Sequence, residues 1–119
     1  MENTTVETAE PNRTTLTKRD ELAKFIKENK YVIIKVSATW CKPCKSISDL
    51  VEQCFDKLIG AKMVYVDADV GFDIYSKLKI RQIPTLYSYI DGKPMDVVVG
   101  ANNDEIVNLF VKLAERMYN

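Results

Sequence analysis

The chain has no histidine among its 119 residues, which excludes imidazole acid–base catalysis and imidazole metal ligands together. It has no excess charge: 17 Lys and Arg balance 17 Asp and Glu, so there is no electrostatic footprint for nucleic acid. No apolar run approaches the roughly 18–20 residues that cross a bilayer, and no membrane partner is expected. The first fifteen residues, rich in Thr, Glu and Asn, lack the apolar core of a secretory signal; a cytoplasmic protein is the resulting expectation. Cysteines number only three, an odd count that argues against a secreted disulfide scaffold. Zinc takes four ligands, and one Cys-x-x-Cys with one distant cysteine does not supply them. No metal and no cofactor are therefore expected, metal shared across a dimer being the one arrangement left.

Hydrophobic residues make up 46% of the sequence, enough for a folded core, and the length suits one domain. Residues 1–13 are polar and read as a flexible tail, with the domain running over 14–119 and a short edge strand at Thr14–Leu16. Thr17 followed by Asp20 and Glu21 reads as a helix start with Thr17 as cap, and Leu22, Phe25 and Ile26 give that helix one apolar stripe to about Asn29. Tyr31–Ser37 is almost wholly apolar, as a central strand covered on both faces would be. Ile47, Leu50, Val51, Cys54, Phe55 and Leu58 then recur at helical spacing, predicting one long helix that Gly60 stops. A second central strand follows at Lys62–Asp67, and a helix over Asp69–Lys79. The strand Leu86–Ile90 comes next, then a hairpin turn at Asp91-Gly92 and a return over Met95–Val99. A last helix is capped by Asn103 or Asp104. The order predicts an α/β fold with a central mixed sheet of four to five strands, an antiparallel hairpin at one end and helices on both faces.

Cys41 and Cys44 fall where the strand Tyr31–Ser37 meets the long helix. Three residues apart in the first turn, their sulfurs are neighbours. Cys41 stands at the helix start, where unpaired N–H groups and the helix dipole favour a thiolate. Pro43 suits that turn because the donor it lacks would have no partner there, and Lys42 and Lys45 add positive charge. These features all lower the pKa of the leading thiol. Cys54 lies ten residues beyond Cys44 on the same helix, about 15 Å away at 1.5 Å per residue. That is too far for a disulfide, so Cys54 reads as a small buried hydrophobe. The lysines of Lys24–Lys30 and Lys77–Arg81 read as solvated faces.

Together, Ser37-Ala38-Thr39-Trp40-Cys41, Pro43-Cys44-Lys45, Ile83-Pro84-Thr85, Asp91-Gly92-Lys93 and Val99-Gly100-Ala101 resemble the thioredoxin family, over roughly Leu16 to Met117. The resemblance implies the thioredoxin fold and a thiol–disulfide oxidoreductase that reduces or exchanges protein disulfides. Cys41 would be the exposed nucleophile and Cys44 the less exposed resolving thiol. Trp40, Lys42, Pro43, Ile83, Pro84, Thr85 and Gly100 would contact an extended client segment, with Pro84 in the cis form. The implied partners are disulfide-containing client proteins and a disulfide reductase as electron donor, the chain itself acting as a monomer.

Four positions depart from the family pattern. Lys35 stands where a buried aspartate lies beneath the second cysteine, and Tyr65 where a lysine neighbours that aspartate. Asp49 replaces a helix-kinking proline, and Lys42 the glycine between the cysteines. A lysine on a covered strand either extends its ammonium to water or loses its proton. A charged Lys35 near Cys44 would stabilise thiolates and make the disulfide more oxidising; a neutral Lys35 would serve as base for Cys44. The missing aspartate also leaves open a competing function, a thioredoxin-fold interaction module with little or no redox turnover.

Overall fold

The computed structural model describes residues 11–119, so most of the expected tail lies outside the described residues. The chain runs β1 (Arg13–Thr15), α1 (Arg19–Glu28), β2 (Tyr31–Ser37), α2 (Lys42–Ser46), α3 (Ser48–Asp56), β3 (Lys62–Asp67), α4 (Phe72–Lys77), β4 (Thr85–Ile90), β5 (Lys93–Val99) and α5 (Asn103–Tyr118). The five strands form one mixed sheet in the order β1-β3-β2-β4-β5. The pairs β1/β3 and β3/β2 are parallel, while β4 runs antiparallel to both β2 and β5. Among the described residues, no helix is long and apolar enough to cross a membrane.

Strand alternation splits the core in two. On β2, Val32, Ile34 and Val36 join Leu22 and Ile26 of α1 and Ile74 of α4 on one face. Ile33 points to the other face and packs with Val51 and Phe55 of α3 and Ile106, Leu109 and Leu113 of α5. Both faces are covered, which is why β2 carries an unbroken apolar run. Lys35 is the exception. It shares the parity of Ile33 and so points into the α3 side, and only 6% of its surface is exposed.

The boundaries differ from expectation where polar side chains bond the backbone. Lys18 rather than Thr17 occupies the N-cap of α1, because the Glu21 carboxylate reaches back to accept from the N–H groups of Thr17 and Lys18 at 3.2 and 3.1 Å. Asn102, one residue early, caps α5 by accepting from Glu105 N–H at 3.0 Å. The single long helix after the cysteines is two helices, interrupted at Ile47. No proline is needed for that break. The Ser46 hydroxyl donates to the Pro43 carbonyl at 2.7 Å, offering the backbone an alternative partner, while Ile47 is drawn wholly into the core. The helix also ends at Asp56, short of Gly60, because Leu58 turns into the core through a 2.9 Å bond from its N–H to the Phe55 carbonyl. Helix α4 begins only after Gly71. The edge strand begins at Arg13, one residue earlier than expected.

Candidate active site

Strand β2 delivers the chain to Ala38, where Cys41 N–H bonds the Ala38 carbonyl at 3.2 Å and turns it into α2. Cys41 is the N-cap and Cys44 lies in the first turn. The two are joined as a disulfide, with Cα atoms 5.3 Å apart. Cys44 N–H points at Cys41 Sγ across 3.2 Å, one of the donors that an N-terminal helical turn leaves free. When the pair opens, the same donor faces the Cys41 thiolate and stabilises it.

The expected contrast between an exposed and a covered cysteine is absent from the closed form. Cys41 and Cys44 are each 4% exposed. Both belong to a small cluster with Ala38 and Ala68, against which Tyr75 and Ile83 pack. The covering side chains come from α4 and from the loop before β4, distant in sequence, so local spacing could not reveal them.

Ile83-Pro84 is a cis peptide bond, as the resemblance implied. The Ile83 carbonyl oxygen lies 4.0 Å from Cys41 Sγ. Gly100 N–H donates to the Pro84 carbonyl at 2.8 Å, and the Thr85 hydroxyl to the Gln82 carbonyl, so this loop is tied at both ends. Of the seven residues expected to contact a client, Pro84, Thr85 and Gly100 are buried and Ile83 is half-buried, whereas Trp40, Lys42 and Pro43 are exposed. Trp40 stands 65% exposed, its indole N–H donating to Asp69 Oδ2 at 2.8 Å.

Behind the disulfide a polar cluster runs from the buried Lys35 out to partly exposed residues of β1 and α3. Lys35 Nζ donates to Ser48 Oγ at 3.3 Å and sits 5.8 Å from the centre of the Tyr65 ring. Tyr65 occupies the matching position on β3. Its hydroxyl donates to Glu52 Oε2 at 2.7 Å, and Glu52 Oε1 accepts from Arg13 Nε at 2.9 Å. Arg13 also pairs with Asp56 at 2.6 Å and lies over the Phe55 ring, 4.8 Å from its centre. Burial pushes the Lys35 ammonium below its ordinary pKa, with the Glu52 charge opposing that shift in part. Burial, then the bond to Glu52, pushes the Tyr65 phenol up to about 12. Lys35, Cys44, Lys45, Ser48 and Asp67 share the wall of a cavity of about 260 Å³. Lys35 and Cys44 thus line one space.

Glu52 and Arg13 escaped the sequence reading. Glu52 stands four residues after Ser48 on α3, so one helix face carries both, and that spacing was visible. Arg13 belongs to β1, although composition assigned it to the tail. Cys54 is half-buried rather than buried because α3 presents it at the margin of the core. Burial raises its thiol pKa. Among the described residues, no group of His, Cys, Asp or Glu is placed to hold a metal ion.

Comparison with known proteins agrees with this geometry. The thioredoxin family model matches residues 13–112. A thioredoxin from Coprinus comatus is 39% identical over 95 residues, covering 78% of this chain and 90% of that protein. Thioredoxin 1 of Plasmodium falciparum is 31% identical over 99 residues, or 83% and 95% of the two chains. Among solved structures, a thioredoxin from Plasmodium falciparum superposes with a TM-score of 0.77 at 30% identity, covering 83% of this chain and 97% of that one. The oxidised mitochondrial thioredoxin 3 of Saccharomyces cerevisiae gives 0.78 at 27% identity, with 83% and 93% covered. With its two cysteines joined at the start of α2, the chain belongs to the thioredoxin family and is a thiol–disulfide oxidoreductase.

Proposed function

We propose that Cys41 attacks disulfides of client proteins and that Cys44 resolves the intermediate. The observation that carries this assignment is the Cys44 N–H held 3.2 Å from Cys41 Sγ, a preformed donor for a thiolate on Cys41 and none other. In the reduced enzyme, the Cys41 thiolate displaces one client sulfur and forms a mixed disulfide; the released client thiolate takes a proton from solvent. Cys44 then loses its proton and attacks Cys41 Sγ. The pair closes, the second client thiolate leaves, and two electrons have passed to the client. A disulfide reductase returns them.

Lys35 is the proton acceptor for Cys44 in this reading. It lines the same cavity as Cys44, and burial lowers its pKa, easing loss of the ammonium proton. Trp40, Lys42, Pro43 and the half-buried Ile83 face the client, while Pro84, Thr85 and Gly100 hold the loop that carries Ile83. The protein works as a monomer in a reducing, cytoplasmic setting, where a free thiol such as Cys54 persists beside an exchange-active pair.

Turnover of insulin disulfides by the reduced protein tests the assignment. The wild type is expected to reduce insulin and Cys41→Ser to lose all turnover. Alkylation at neutral pH should modify Cys41 faster than an unstructured thiol. An interaction module would show no turnover and would keep its partner affinity in Cys41→Ser, and that result would overturn the enzymatic reading.

A further inference from the structure

We propose that the loop from Asp67 to Phe72 is a docking lobe beside the disulfide, at which Val70 and Phe72 select clients with a large apolar residue next to the attacked cysteine. The proposal rests on the oxidoreductase reading above, because only a client sulfur at Cys41 brings its flanking residues here.

The loop inverts the usual partition. Its acids are each engaged by nearby donors, although only Asp73 meets a cation. Asp67 Oδ1 accepts from the N–H groups of Asp69 and Val70 at 2.8 and 2.9 Å, Asp69 holds the Trp40 indole, and Asp73 just beyond accepts from the backbone and guanidinium of Arg19, both at 2.8 Å. What faces solvent is apolar: Val70 is 74% and Phe72 61% exposed. Isolated apolar residues on a surface need no explanation, but a contiguous group does. Through Phe72 this group reaches the reacting sulfurs, with Val70 two residues before it in the same turn. Phe72 stacks on Tyr75 with ring centres 5.9 Å apart, Tyr75 packs on the Cys41–Cys44 cluster, and Trp40 is fastened to the loop through Asp69.

The lobe is also held in place before anything binds. Gly71 N–H bonds the Asp67 carbonyl at 2.7 Å, and a Cβ at Gly71 would come within 2.8 Å of that oxygen, so the tight turn requires glycine there. Two apolar side chains on a rigid turn lose little freedom when a client covers them. The occupant is therefore an apolar side chain adjoining the client cysteine.

Two peptides with one internal disulfide each, identical except for Leu or Ser beside the attacked cysteine, test the proposal against the wild type and the V70S/F72S variant. The wild type is expected to show kcat/KM about tenfold higher for the Leu peptide. The variant should bring that ratio close to one, through KM, while reduction of hydroxyethyl disulfide and the redox potential stay unchanged. Val70→Ser alone, at a side chain largely in solvent, should give part of the same fall if the double variant folds poorly. Equal wild-type rates for the two peptides, or a ratio that survives in the variants, would overturn the proposal. So would a concentration-dependent dimer of the wild type that the variant abolishes, since a second copy would then be the occupant. Failure of the wild type to reduce either peptide or hydroxyethyl disulfide would instead remove the oxidoreductase reading beneath it.

Discussion

The two sides of the disulfide are built in opposite ways. Towards solvent, Trp40, Val70 and Phe72 expose apolar surface, and the acids near them are spent on backbone and neighbouring donors. Towards the interior, Lys35, Tyr65, Glu52 and Arg13 form a chain of polar contacts between the sheet and α3. An ordinary domain places charge outside and hydrocarbon inside. That contrast is what the proposed roles require, an apolar face for clients and a polar face that can take a proton from Cys44. The two cysteines share one exposure and one apolar cluster; what separates them is that Cys44 also lines the cavity that Lys35 reaches.

The largest effect expected of any substitution tests that separation directly. Cys44→Ala should abolish turnover and trap the client on Cys41 as a covalent adduct, visible as a mass shift on a non-reducing gel. Loss of turnover without an adduct would mean that Cys41 does not attack first.

Next in size is Lys35→Met, which removes the inner charge while conserving most of the volume. If Lys35 accepts the Cys44 proton, resolution of the mixed disulfide should slow by about 100-fold, with attack by Cys41 unchanged, as stopped-flow fluorescence of Trp40 would report. If Lys35 acts by charge alone, only the equilibrium potential moves, towards a less oxidising couple. No change in either rate or potential would strip Lys35 of both roles and leave the interior as packing.

The fold was legible from the sequence where burial demanded periodicity. The runs at Tyr31–Ser37 and Lys62–Asp67 are β2 and β3 because both their faces are covered, and the Asp91-Gly92 turn joins β4 to β5 as expected, with Asp91 at φ 54° and Gly92 at φ 80°. The active site was legible because its two sulfurs depend on a three-residue spacing. What could not be read are contacts between remote segments. The burial of Cys41 depends on Ile83 and Tyr75. The partners of Lys35 depend on register: Tyr65 reaches it only because β2 and β3 run parallel in that alignment, and Glu52 joins them only because α3 lies over that face. The break at Ile47 depended on a side-chain bond from Ser46, for which helical spacing carries no signal.

A smaller effect concerns stability and pH, and Lys35 and Tyr65 should pull in opposite directions. The lowered pKa of Lys35 means that the folded protein holds fewer protons than the unfolded chain just below the ordinary lysine value of 10.5. Stability therefore rises with pH in that window. Tyr65, raised from 10.0 to about 12, makes the folded protein hold more protons between those values, and stability falls there. Urea unfolding from pH 7 to 12 should show a maximum between the two limbs. Lys35→Met should remove the rising limb and add roughly 1–2 kcal/mol at pH 7, since a buried amino group that burial disfavours in either protonation state is replaced by hydrocarbon. A variant less stable than the wild type at pH 7 would mean that Ser48 and Glu52 more than offset the cost of burial.

The smallest expected effect is at Glu52. Its bond to Arg13 joins side chains 16% and 32% exposed, so partial solvent screening limits what the pair contributes. Glu52→Gln should cost about 0.5–1 kcal/mol, because the amide still bonds the Tyr65 hydroxyl and the backbone fold of α3 is unaffected. Its effect on chemistry should be of a different kind. Glu52 is the charge that raises the pKa of Lys35 against burial, so removing it lowers that pKa further. The resolution step should then keep its maximal rate but reach it at a lower pH than in the wild type. A packing role alone would change stability and leave the pH profile of resolution in place; a shift of the profile towards acid identifies Glu52 as the residue that sets the proton acceptor behind Cys44.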